Sequence, residues 1–355
     1  MTSSDDIELV RGLVEIPSLS RHEGDAVEWL VARMAERGFR ATVDDAGNAV
    51  GEIGDGARHV VLLGHIDTVP GDIPVRIEDG ELIGRGAVDA KGPLAAFVAA
   101  ATEKVAGVRV TVVGAVEEES PTSAGARHRA RLAAPDWCVI GEPSSWDAVT
   151  VAYKGRLVLR IALTRDARHG AAPGPTVTEE ALAVWTAIRD ASDRRTPGAD
   201  GFARLDCRLE GMSGGTSDGL VERAELRVGY RIPPGVATDE LAHEVRTLAR
   251  GHGGDAHVTV EIVGAEEPAR TPRSTPLARA FVGAIADAGG AATFKVKSGT
   301  SDMNVLAPAW ACPTVAYGPG DSRYDHTPME RLVLDDYVRA ITVLKGVLRR
   351  AGAPI

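Results

Sequence analysis

Apolar residues recur three and four positions apart at Ile7, Val10, Leu13 and Val14, and again at Val27, Leu30, Val31 and Met34. That spacing places each set on one helical face, and Gly38 supplies a stop for the second helix. The period then changes. Val60-Val-Leu-Leu-Gly64 is apolar without alternation, which predicts a strand of a parallel sheet covered on both faces. A small-residue helix is expected from about Pro93 to Lys104, a second apolar strand from Val108 to Val116, a helix from Ala124 to Leu132, and a strand over Trp137–Ile140. The βαβα order predicts an α/β layered domain.

Beyond Tyr153 the rhythm is different. A strand is expected over Arg156–Leu163, then a helix capped by Thr178 with Glu179 and Glu180 in its first turn, where acids suit the helix dipole. Two strands follow near Ala203–Leu209 and Ala224–Tyr230. Thr238 is the expected cap of a second helix with Leu241, Val245 and Leu248 on one face, and Val258–Val263 closes the segment. This βαββαβ order is the ferredoxin-like split motif, and a stretch around Pro268 reads as its exit linker. From Pro276, placed where first-turn prolines belong, the α/β pattern resumes. It continues with strands near Thr293–Val296 and Pro313–Tyr317 and a long helix from Leu334 to Arg349. The predicted architecture is one α/β domain formed by residues 1–153 and 269–355, interrupted by an α+β domain at 154–268.

At 355 residues and 44% apolar composition, the chain can bury cores for both domains. A net charge of −10 argues against nucleic acid as a partner, because phosphate binding needs a basic face. Cys138, Cys207 and Cys312 are odd in number and widely spaced, with no CxxC pair, so neither a disulfide framework nor a structural zinc ribbon is expected. The N-terminus shows no signal peptide, and the longest apolar run is well short of the ~20 residues a membrane span needs. A cytoplasmic protein with no membrane partner is the expectation.

Several polar groups sit where strands should end, the usual place for ligands in open α/β sheets. His65-Ile66-Asp67 follows the first buried strand, and on extended backbone its two polar side chains share a side. Gly84-Arg-Gly-Ala-Val-Asp89 precedes a helix, so Asp89 suits an N-cap as well as a ligand. Glu117-Glu118-Glu119 ends the second buried strand, Glu142 follows the third, and Asp325-His326-Thr-Pro328 follows the last. Each signal alone also fits a structural role. Together they offer two histidines and three carboxylates, a donor mixture that suits two zinc ions bridged by one carboxylate. Such a pair clamps a water and a carbonyl together, and a spare carboxylate beside it would move the proton.

These motifs resemble the ArgE/DapE/carboxypeptidase G family of co-catalytic zinc amidohydrolases, over essentially the whole chain. The resemblance implies a zinc-peptidase-like mixed-sheet catalytic domain with an inserted ferredoxin-like dimerisation (lid) domain. It implies that His65, Asp89 and Glu142 hold one zinc and Asp89, Glu119 and His326 the other, with cobalt or manganese as substitutes. Asp67 would hydrogen-bond His65, and Glu118 would be the general base; an acidic residue before the family's Glu-Glu pair favours 118 and 119 within the run. His169, in His-Gly-Ala-Ala-Pro173, matches a histidine lent to the neighbouring subunit of a homodimer. The family's asparagine in a GGxxxN loop has no evident counterpart, since Gly214-Gly-Thr-Ser-Asp-Gly-Leu220 is shorter.

Within the family, Val151-Ala-Tyr-Lys-Gly155, Lys297-Ser-Gly-Thr-Ser-Asp-Met-Asn304 and Ala316-Tyr-Gly-Pro-Gly-Asp-Ser322 are most similar to the [LysW]-lysine and [LysW]-ornithine hydrolases. These cut the amide between an amino acid's α-nitrogen and the γ-carboxyl of a small acidic carrier protein's terminal glutamate. Arg231 and the loop Lys297, Ser298, Gly299 and Thr300 are candidates to grip substrate carboxylates, Arg231 through its bidentate fork. An acidic carrier meeting an acidic enzyme needs a locally basic mouth, for which Arg127–Arg131 and Arg156–Arg168 are candidates. Two alternatives stand beside this reading: a deacylase or dipeptidase acting on small N-acyl amino acids or dipeptides, and a metal-binding assembly protein without catalysis.

Overall fold

The computed structural model describes residues 4–216 and 219–353. The chain forms two compact units: one from residues up to Ala152, Arg270–Val296 and Ser301 onward, the other from Tyr153–Ala269 with Lys297–Thr300. The first unit opens with α1 (Ser4–Glu15), α2 (Gly24–Glu36), β1 (Arg40–Val43), β2 (Ala49–Ile53) and β3 (Arg58–His65). Then come β4 (Arg76–Glu78), β5 (Glu81–Ile83), α3 (Lys91–Ala101), β6 (Val108–Ala115), α4 (Ala124–Arg129), β7 (Trp137–Gly141) and β8 (Ala148–Tyr153). The second unit contributes β9 (Gly155–Asp166), α5 (Val177–Arg195), β10 (Asp206–Thr216), β11 (Val221–Ile232), α6 (Thr238–His252) and β12 (His257–Glu266). The chain then completes the first unit with β13 (Ala269–Arg270), α7 (Pro276–Asp287), β14 (Thr293–Lys297), α8 (Met303–Trp310), β15 (Thr314–Ala316), β16 (Arg331–Val333) and α9 (Leu334–Ala351).

The nine-stranded mixed sheet of the first unit runs β1-β2-β6-β3-β7-β15-β8-β13, with β14 also on β8. Its centre, β6-β3-β7-β15, is parallel, while β1-β2, β2-β6 and β15-β8 pair antiparallel. Parallel strands in register end together, so the residues after β6, β3, β7 and β15 crowd one edge. All eleven residues of α3 are buried, as a helix without a polar face must be. What lets it lie so close is a row of glycines: Gly64 pairs with Gly114 on one side and Gly141 on the other. A Cβ at Gly141 would come within 2.9 Å of both the Gly64 backbone and the Phe97 ring, and one at Gly64 within 3.3 Å of Leu94. Overfilling an interior in this way costs about 1–3 kcal/mol. The glycines therefore seat α3 on the three strands whose ends carry the candidate site.

The second unit has the sheet order β10-β11-β9-β12, fully antiparallel, which is the ferredoxin-like arrangement anticipated from the βαββαβ order. Its core, Leu157, Leu159, Ile161, Leu226, Val228 and neighbours, packs against the apolar faces of α5 and α6.

Both helix starts in this unit differ from expectation. Thr176, not Thr178, caps α5, because only Thr176 has a glutamate three residues on to complete a capping box with Glu179. Ala237 precedes α6, and Thr238 is its first residue; the Glu267 carboxylate takes the Thr238 N–H at 3.0 Å and its hydroxyl, doing a cap's work from outside the helix.

Candidate metal centre

His65 is the last residue of β3 and 2% exposed. Its Nδ1 donates to the Asp67 carbonyl at 2.9 Å, which leaves Nε2 facing Asp89 Oδ1 at 3.1 Å. Asp89 ends the glycine-rich turn before α3, and its other oxygen, Oδ2, lies 3.0 Å from His326 Nε2. His326 Nε2 is also 2.8 Å from Glu119 Oε1. One carboxylate thus presents one oxygen to each of two histidines that lie 261 positions apart in the chain.

The glutamate run divides its work. Glu117 adopts a left-handed conformation (φ +61°) that turns the chain as it leaves β6. Its carboxylate faces Arg21 and Thr122, away from the histidines. The next two peptide N–H groups, of Glu118 and Glu119, donate to Asp67 Oδ1 and Oδ2 at 3.1 and 3.0 Å, and the Ser20 hydroxyl adds a third bond at 2.7 Å. The Asp67 carboxylate, which the resemblance assigned to His65, is 3.5 Å from Nδ1. These three donors hold it beside the imidazole, whose Nδ1 proton the Asp67 carbonyl takes at 2.9 Å.

Among the described residues, three groups bring one donor atom apiece within 4.8 Å of each other: His65, Asp89 and Glu142; Asp89, Glu119 and His326; and His65, Glu118 and Glu119. The first two share Asp89. Their oxygen and imidazole donors fit a pair of divalent cations bridged by that carboxylate, and zinc in particular takes such a mixture. Glu118 is left over beside them.

The groups of this cluster shift one another's ionisation. Burial opposes ionisation of Asp89, but hydrogen bonds from His326 and His65 outweigh it and hold the carboxyl well below its usual range. Burial lowers His65, yet Asp67 and Asp89 raise it well above normal. Hydrogen bonds to Asp89 and Glu119 raise His326 from 6.5 to about 10. Glu118 is pushed well above the carboxylate range by loss of water and then by Glu142, Asp302 and Glu119, against the pull of His65.

Two groups beside the cluster went unassigned in the sequence. Ser20 carried no signal at all. Asp302 lay inside the quoted 297–304 segment; it is 2% exposed, its Oδ1 has no hydrogen-bond partner, and burial raises its pKa to about 7.

The remaining candidates belong to the second unit. His169 is exposed in a turn, its Nδ1 accepting the Ala171 N–H at 3.2 Å. Arg231, Ser298 and Gly299 line a cavity of about 630 Å³ together with Arg156, Arg204 and Arg208. Arg231 Nη1 is buried there without a hydrogen-bond partner, and burial with the nearby Arg156 and Arg208 lowers its pKa. Lys297 Nζ lies 5.8 Å from the Tyr153 ring centroid, and Thr300 is half-buried. In the loop Gly214–Leu220, Ser217 and Asp218 lie outside the described residues. Of the basic runs, Arg129 sits 3.6 Å from Asp44, and Arg165 is in a network with Glu180, Glu222 and Asp255, so each run is partly neutralised.

Comparison with known proteins adds a lineage. A family model described as peptidase family M20/M25/M40 matches residues 61–350. The [LysW]-lysine hydrolase of Deinococcus radiodurans is 45% identical over 352 residues, covering 97% of this chain and 96% of that one. A putative [LysW]-lysine/[LysW]-ornithine hydrolase of Thermococcus kodakarensis is 38% identical over 349 residues, covering 98% and 92%. Among solved structures, the M20 metallo-carboxypeptidase Sso-CP2 of Sulfolobus solfataricus superposes with a TM-score of 0.80 at 16% identity, covering 99% of this chain and all of that one.

The His326 shift fixes a pH dependence. Its proton stabilises the metal-free fold fully below pH 6.5, and that contribution fades as pH rises through about 10. A cation needs the neutral imidazole and so competes with this proton. Zinc affinity of the metal-free protein should therefore rise with pH between 6.5 and about 10, with protons released on binding. Calorimetry in buffers of differing ionisation enthalpy measures the release; uptake without proton release would contradict the shift.

Proposed function

The chain belongs to peptidase family M20/M25/M40 and is a hydrolase, and on that premise we propose a two-zinc amidohydrolase that frees lysine, ornithine or a related amino acid from an amino-group carrier protein. The bond cut joins the γ-carboxyl of the carrier's C-terminal glutamate to the amino acid's α-nitrogen. The observation that carries the metal half of this reading is Asp89, with Oδ1 on His65 and Oδ2 on His326. The substrate half is supported by 45% identity to a [LysW]-lysine hydrolase over nearly the full length of both chains.

When bound, the two cations supply Lewis acidity that polarises the scissile carbonyl and acidifies the attacking water. His65, Asp89 and Glu142 would hold one, and Asp89, Glu119 and His326 the other. Glu118 takes the proton of the attacking water on its carboxylate and returns it to the leaving α-amine. Asp67 fixes the Glu118 and Glu119 peptides, so it sets where both carboxylates begin. Arg231, with its unpartnered Nη1, grips a substrate carboxylate in the cavity that Ser298 and Gly299 share, and the Lys297–Thr300 loop closes that grip. No described helix is long and apolar enough to cross a membrane.

The test compares release of amino acid from a carrier conjugate with turnover of N-acetylornithine, N-succinyl-diaminopimelate and dipeptides. The conjugate should be strongly preferred; exclusive turnover of the small amides would eliminate the carrier reading. In the same assay Glu118→Gln should keep its metal and lose about 100-fold or more in rate. Loss of metal from Glu118→Gln with retention in Glu119→Gln would exchange their roles.

The inserted unit would also pair two copies of the chain and lend His169 to the partner's site as an oxyanion donor. Sedimentation should find a dimer, and an active monomer would remove that role.

A further inference from the structure

Glu330 lies four residues after His326 and was absent from every motif read in the sequence. It is fully buried, yet its carboxylate is saturated with donors. Oε1 accepts the peptide N–H groups of Val88 and Asp89, both at 3.0 Å, and the Gly86 N–H also points to the carboxylate. Oε2 accepts Arg85 Nη1 at 2.7 Å. The same Nη1 reaches the Thr327 carbonyl at 3.3 Å, and Arg85 Nε donates to the Gly71 carbonyl at 3.0 Å. The Glu330 backbone closes the ring by accepting the Gly84 N–H at 3.3 Å.

This is an expensive arrangement to keep for stability alone. A buried ion pair recovers its desolvation cost only when every lone pair is satisfied, and apolar residues of the same size often do as well. What it accomplishes here is positional. The turn 84–89 carries Asp89, and the segment 326–330 carries His326. Glu330 holds the N–H of Asp89 itself, while Arg85 holds the carbonyl next to His326. These bonds join two segments that are 237 positions apart between Asp89 and His326. Groups that hold metal-binding side chains in place commonly govern affinity by 10- to 100-fold.

We propose that Glu330 and Arg85 are positioning residues that set the Asp89–His326 separation and thereby the affinity and activity of the two-cation centre. The inference rests on the metal reading given above and adds a role for two residues outside the donor set. In Glu330→Gln, the amide oxygen can still accept from Val88 and Asp89, but its NH₂ faces the Arg85 guanidinium, donor against donor. Arg85→Met removes the cation and leaves the Glu330 carboxylate buried without it, whereas Arg85→Lys restores the charge without the fork.

The experiment titrates the metal-free wild type and variants with zinc against a chelator, follows their thermal unfolding, and measures kcat and KM at saturating zinc. Zinc affinity should fall about tenfold or more in Glu330→Gln and in Arg85→Met, and recover in part in Arg85→Lys. At saturating zinc, kcat should fall at least about tenfold while KM stays within about threefold. The double variant should lose little more than either single one, because the two residues act as one unit. Zinc affinity within twofold of wild type in both Arg85 variants would overturn the proposal, as would a lowered unfolding temperature of the metal-free protein with unchanged affinity. The arginine pair keeps the test decisive if Glu330→Gln does not fold. The wild-type titration tests the metal reading separately, since failure there precedes any question about the clamp.

Discussion

The centre depends on one carboxylate with two neighbours. Asp89 directs Oδ1 at His65 and Oδ2 at His326, and each histidine belongs to a further carboxylate group, Glu142 on one side and Glu119 on the other. In the metal-free state protons on the imidazoles hold this cluster together, which is why Asp89 titrates low and His326 high. Divalent cations held by His65, Asp89, Glu142, Glu119 and His326 would take the place of those protons and supply more positive charge. Several features of the first unit bring the donors around Asp89 together.

Three layers of structure do so. The parallel strands β6, β3 and β7 end in register, and the glycine row Gly114, Gly64, Gly141 lets α3 settle on them, so the turn ahead of α3 arrives at the same edge as His65 and Glu142. Asp67, immediately past His65, gathers the Glu118 and Glu119 peptides. Glu330 and Arg85 tie the Asp89 turn to the His326 segment. None of these three groups is itself a donor in the shared clusters around Asp89.

The sequence revealed what burial dictates. β3, β6 and β7 read as strands because a parallel strand covered on both faces must be apolar throughout, and α3 read as a helix through its small residues. β1, with Arg40 and an exposed Val43, and the three-residue strands β4 and β5 have no such signature. α8 contains Pro308, which hides its period. The polar residues at strand ends could be picked out because a buried strand that ends in charge is costly unless the charge has a use. Positions fixed by tertiary hydrogen bonds could not: the Asp67 carboxylate holds the Glu118 and Glu119 peptides as well as facing His65, Thr238 borrows Glu267, and Glu330 is one glutamate among many until its donors are seen.

Anomalous diffraction from zinc-loaded crystals tests the central claim most directly. The account predicts two peaks about 3.5–4 Å apart, one on each side of the Asp89 carboxylate. A single peak, or peaks that do not touch Asp89, would contradict it.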